Sequence, residues 1–153
     1  MEREIKFRGK SIFYNEWVYG NLIISGDEFC IAGYDIYRKG ESPWFWEEEE
    51  VPSDTIGQFT GLKDKNGKEI YEGDIVEWLF FYTIHSSNGA DGDREELLKG
   101  VIEWRQGGFV FGVLENDFEN AGWYSISDLH TETQTDVEVI GNIYDNPELL
   151  TEK

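Results

Sequence analysis

Ile56-Gly57-Gln58-Phe59-Thr60-Gly61-Leu62-Lys63-Asp64-Lys65-Asn66-Gly67-Lys68-Glu69-Ile70-Tyr71-Glu72-Gly73-Asp74-Ile75-Val76 is a series of short apolar segments broken by turn residues. Asn66-Gly67 is a strong turn signal, because both residues accept positive φ at low cost. Glu72-Gly73-Asp74 leads into Ile75-Val76-Glu77-Trp78-Leu79-Phe80-Phe81-Tyr82, an apolar, β-branched and aromatic run of strand type. The local pattern is strand, turn, strand.

The same pattern extends outward. Downstream, Lys99 to Arg105 turns at Gln106-Gly107-Gly108 into Phe109 to Leu114, and Trp123 to Ile126 and Val137 to Gly141 follow. Between Tyr82 and Lys99 lies a polar stretch around Ser86 to Asp93, expected as a long mobile or functional loop. Asn146-Pro147-Glu148-Leu149-Leu150 predicts one turn of helix, with Asn146 as cap and Pro147 in the first helical position. Upstream, Ile5 to Arg8, Trp17 to Ile24 and Phe29 to Tyr37 read as strands, with Gly20 marking a bulge. Arg38 to Glu50 carries Pro43 and four consecutive glutamates and is expected as an exposed connection. The expected fold class is mainly β: an N-terminal hairpin region over 1–52, then a small SH3-like β-barrel over 53–153 ending in the helical turn.

Composition narrows the function classes. The 153 residues hold 13 Lys and Arg against 32 Asp and Glu, a formal net charge of −19. Residues 1–52 carry −5, residues 53–82 carry −3 and residues 83–153 carry −11. A direct nucleic-acid binder needs a basic face, and the basic start at Arg3, Lys6, Arg8 and Lys10 is too small to supply one. Six Trp, 8 Tyr and 10 Phe argue for a packed core rather than disorder. The single cysteine, Cys30, excludes an internal disulfide and sits in an apolar run, which reads as a small buried hydrophobe. The N-terminus lacks the apolar core of a signal peptide, and no apolar run is long enough to span a bilayer. A cytoplasmic location is expected, with no membrane contact.

Three stretches resemble the YopX family of bacteriophage and prophage proteins. They are Ile5 to Lys10 with Trp17 to Leu22, the central run Ile56 to Val76, and Val139-Ile140-Gly141-Asn142-Ile143-Tyr144-Asp145-Asn146-Pro147-Glu148-Leu149-Leu150. The resemblance spans nearly the whole chain and diverges over Phe29 to Glu50 and Tyr82 to Leu98. It implies a mainly-β fold with a C-terminal SH3-like barrel, a phage origin and action in the host cytoplasm. It carries over no catalytic motif.

Candidate chemistry is sparse. His85 lies beside Ser86, Ser87, Asp91 and Asp93, but adjacency in sequence is not triad geometry. Asp64-Lys65-Asn66-Gly67-Lys68-Glu69 fails the EF-hand spacing, since glycine sits at the fourth position instead of the sixth. Asp91, Asp93, Glu95 and Glu96 form an acidic loop, and no phosphate loop is present. No catalytic residue, cofactor or metal site is expected.

Trp44-Phe45-Trp46 before Glu47-Glu48-Glu49-Glu50 is the most unusual local feature. Three adjacent aromatics cannot all face inward on one strand, so this stretch is the candidate interaction surface. The expected function is a non-enzymatic interaction module that self-associates as a homo-oligomer or binds a host or phage protein. The alternatives are an acidic mimic filling the basic nucleic-acid groove of a host protein, and a ligand-binding or enzymatic barrel using carboxylates.

Overall fold

The computed structural model describes residues 4–33, 47–114, 122–131 and 134–151. The protein is mainly β, with only short 3-10 turns besides strands among these residues. It forms two compact units, Met1–Leu62 and Lys63–Lys153. The division falls after Leu62 and not at the expected 52/53.

The first unit contains β1 (Phe7–Lys10), β2 (Trp17–Ser25), β3 (Glu28–Gly33), β4 (Glu47–Glu50) and β5 (Gly57–Lys63). Within this unit the strand order is β4-β3-β2-β1-β5. Pairing of Phe7 with Gln58 and of Arg8 with Gly57 explains why 57–62 belongs with the N-terminal unit. Val18, Ile31 and Val51 form its core, with Phe7, Leu22, Phe29 and Ile56 packed around them. Burying each such side chain stabilises by about 1.5–3 kcal/mol. Pairing of β2 with β3 begins at Asn21, and its pairing with β1 ends at Gly20. Glycine is required there because a Cβ would stand 2.3 Å from the Ala32 carbonyl oxygen.

Glu47–Glu50 corrects an expectation. These glutamates form the edge strand β4, pairing Cys30 with Glu50 and Gly33 with Glu47. Alternation turns Glu48 and Glu50 to solvent and Glu49 inward, where it is buried.

The second unit contains β6 (Glu69–Tyr71), β7 (Asp74–Ile84), β8 (Gly92–Arg105), β9 (Gly108–Val113), β10 (Trp123–Ser125), β11 (His130–Thr131), β12 (Gln134–Thr135) and β13 (Val137–Asn142). A five-stranded antiparallel sheet runs β10-β9-β8-β7-β13. Its edges are β10 and β13, so it is open and not the expected SH3-like barrel. Nor is the segment after Tyr82 a long loop. β7 and β8 pair continuously from Ile75↔Val101 to Ile84↔Gly92, leaving only 85–91 as the connection. Thr83, opposite Asp93, donates its hydroxyl to that carboxylate at 2.9 Å. β13 carries a bulge between Val139 and Gly141. The core gathers Ile75, Val76, Ile102, Phe111, Leu129 and Val137.

Two turns show how local chemistry shapes this unit. In the Asp64–Lys68 turn only Gly67 takes positive φ, 81°, and its N–H donates to the Asp64 carbonyl at 3.0 Å. Asn66 stays at negative φ, so the loop is a longer one with glycine in the left-handed position, not the Asn-Gly two-residue turn. At Gln106-Gly107 both residues do take positive φ, as a two-residue hairpin turn demands. Pro147–Leu150 forms the expected short helical turn, of 3-10 type. Asn146 does not cap it; its Oδ1 accepts from the Asn142 N–H instead. Among the described residues no helix is long and apolar enough to cross a membrane.

Candidate functional site

Of the sequence-derived surface, Trp44, Phe45 and Trp46 lie outside the described residues. Glu47–Glu50 can be followed. The buried Glu49 Oε2 accepts the Ser11 hydroxyl at 3.0 Å, and Ser11 is itself buried. The Ser11 oxygen also accepts from the Phe13 and Tyr14 N–H groups, both at 3.3 Å. Ile12 N–H donates to the Glu50 carbonyl, and Asn15, at φ 55°, closes the turn onto the Ser11 carbonyl. The turn is thus fastened from below while Ile12, Phe13 and Tyr14 project outward. Phe13 is 70% exposed. Three consecutive large side chains stand exposed on a pinned turn next to the acidic strand β4, adjoining the segment singled out by sequence. Sequence reasoning missed this turn because Ser11-Ile12-Phe13-Tyr14 resembles a continuing strand.

Of the basic start, the described Lys6, Arg8 and Lys10 lie over aromatic rings. The Arg8 guanidinium lies 4.6 Å from the Trp17 ring centroid, and the Lys10 ammonium 5.7 Å from the same ring. Lys6 sits over Phe59. Cys30, expected as a small buried hydrophobe, is half-buried. Burial first, then the charges of Glu48, Glu50 and Glu28, push its thiol pKa up and hold it protonated.

In the second unit, His85 Nδ1 meets Asp91 Oδ2 at 3.1 Å, both exposed, while the Ser86 hydroxyl bonds to Asn88. These contacts close the 85–91 turn. Asp64, from the EF-hand-like stretch, is buried and saturated by backbone. Its Oδ1 accepts from Asn66 and Lys68 N–H, and its Oδ2 from Val139 N–H. It ties the turn to β13 and offers no open ligand position. Glu95 and Glu96 alternate along β8, which disperses the acidic cluster.

A cleft of about 440 Å³ opens beside β7, lined by Trp78, Leu79, Phe80, Phe81, Tyr124, Ser127, Asp128, Leu129 and Asp136. Trp78, Phe80 and Tyr124 pack ring to ring, with centroids 4.8, 5.4 and 5.6 Å apart. Phe80 stacks in turn on Tyr82, continuing the ladder along the hairpin. Burial and then the Glu96 charge raise the Tyr124 pKa, which keeps its hydroxyl protonated. The charged residues lining the cleft are both carboxylates.

The architecture is that of an antiparallel all-β protein carrying apolar and acidic surfaces. Residues 6–151 match the family model described as YopX protein. The chain belongs to the YopX family. It is similar in structure to protein EF1440 from Enterococcus faecalis, at 28% identity and a TM-score of 0.50, over 97% of this chain and 99% of that one. No curated protein matches it.

Proposed function

We propose that the chain is a non-enzymatic interaction module of phage or prophage origin, acting in the host cytoplasm by self-association or by binding a host or phage protein. The observation that carries this reading is the Ser11–Glu49 hydrogen bond under the exposed Ile12-Phe13-Tyr14 turn. A buried polar contact that holds apolar side chains in water favours association, since covering them removes apolar area from solvent.

Light scattering on the wild type and on the Phe13→Ser/Tyr14→Ser variant tests it, together with affinity capture from lysogenic cells. A multimer, or one stoichiometric partner, that the variant loses while keeping its fold supports the reading. A chain that stays monomeric and captures nothing the variant loses overturns it.

A further inference from the structure

Resting on the interaction-module reading, we propose that the cleft beside β7 is a docking groove for an extended segment of a partner protein bearing Lys or Arg. The segment adds as a strand to the open edge of β7 and sets a cationic side chain against Asp128 and Asp136.

The backbone supplies the first argument. β13 covers β7 only as far as Val137↔Trp78, with one further bond from Leu79 N–H to the Asp136 carbonyl at 3.0 Å. On its other edge β7 stays paired with β8 out to Ile84. From Phe80 to Ile84, no described strand pairs with the edge that β13 would extend. Backbone groups alternate between the two edges. Phe81 and Thr83 therefore turn their N–H groups the same way as Leu79, toward that open edge. An uncovered edge is a template for strand addition.

Lining chemistry supplies the second argument. The cleft lies along this same edge, and its volume accommodates a long side chain. Rings of Trp78, Phe80 and Tyr124 form its aromatic wall, and Phe81, 53% exposed, flanks it. No Lys or Arg lines it, whereas Asp128 and Asp136 do. Aromatic faces and carboxylates both attract ammonium and guanidinium groups. The net charge of −19 steers a basic segment toward the protein. An acidic or neutral apolar segment would leave both carboxylates uncompensated.

Fluorescence anisotropy on the full chain tests the proposal. The probe is a dye-labelled peptide of roughly eight residues alternating Lys and Val, long enough to follow the uncovered edge. Competitors are the same peptide with alternate amides N-methylated, a Glu/Val peptide, and free arginine amide. The Lys/Val peptide is expected to bind, and Asp128→Asn/Asp136→Asn to weaken it by about tenfold. Asp27→Asn/Glu28→Gln, which removes equal charge from the exposed β2–β3 turn, is expected to change it by less than about twofold. N-methylation is expected to abolish competition. Equal loss in both charge variants, undiminished competition by the N-methylated peptide, or full displacement by arginine amide at the peptide's own concentration each overturns strand docking. So does a wild type that ignores the peptide. If Phe13→Ser/Tyr14→Ser still abolishes association in that case, the module reading stands and this groove alone is rejected.

Discussion

The Asp64 carboxylate accepts a hydrogen bond from the Val139 N–H at 3.0 Å, joining residues 75 apart in sequence. The same side chain holds the Lys65–Lys68 turn through two more N–H donors. One buried group thus fixes a hairpin turn and the position of an edge strand together. Asp64→Asn places an amide N–H₂ where one of these donors needs an acceptor. It is expected to destabilise by about 2–3 kcal/mol, the cost of leaving a buried group unsatisfied. Urea unfolding followed by tryptophan fluorescence measures it, and a loss below about 0.5 kcal/mol would contradict the role.

Ser11 and Glu49 form the corresponding buried contact in the first unit. A double-mutant cycle with Ser11→Ala and Glu49→Gln is expected to show a coupling of about 1–2 kcal/mol. Additive effects would mean that the hydroxyl does not hold the turn through that carboxylate.

Gly100 lies where a Cβ would stand 2.4 Å from Phe111 Cε2 and 2.5 Å from the Gly112 carbonyl oxygen. Phe111 is fully buried, so it has no room to retreat. Gly100→Ala is expected to cost about 1–3 kcal/mol by overpacking. A thermal midpoint unchanged from wild type would be inconsistent with this packing.

Cys30 titrates above an ordinary thiol, because burial and the neighbouring Glu48, Glu50 and Glu28 charges disfavour the thiolate. Alkylation by iodoacetamide at pH 8 is expected to be slower than for an exposed cysteine, and to rise as pH increases. Glu48→Gln/Glu50→Gln removes two of the repelling charges, lowers the thiol pKa and shifts the rate–pH curve to lower pH. The rate at pH 8 is expected to rise by roughly two- to fivefold. A curve shifted upward, or not shifted, would refute the electrostatic account.

Much of the architecture was legible locally. The strands at Trp17, Ile75, Phe109, Trp123 and Val137 follow from short β-branched and aromatic runs between glycine-rich turns, since propensity and turn chemistry act over a few residues. The shared stretches Ile56 to Val76 and Val139 to Leu150 pointed to the family for the same reason. The β7–β8 arm was not legible. Asp93, Glu95 and Glu96 look like loop residues until Phe80, Phe81 and Tyr82 are known to pair across from them. The cleft was hidden too, because its walls come from Trp78, Tyr124 and Asp136, which only pairing brings together.

Ile75-Val76-Glu77-Trp78 and Val101-Ile102-Glu103-Trp104 show where local information ends. The two stretches are nearly the same, and Ile75 pairs directly with Val101. Yet Trp78 is 7% exposed and Trp104 is 50% exposed. Trp78 lies between β8 and β13, under Tyr124, while Trp104 stands at the end of β8 beside the Gln106 turn. Likewise, nothing local distinguishes Glu49 from Glu48 and Glu50; pairing of β4 with β3 turned Glu49 inward and left Glu48 and Glu50 in solvent. Strand character, turns and acidity were set by sequence alone, because each depends on neighbouring residues or on composition. Open or closed sheet, buried or exposed tryptophan, and the stretch of β7 edge that no described strand pairs with were decided by tertiary structure, because each depends on residues distant in the chain.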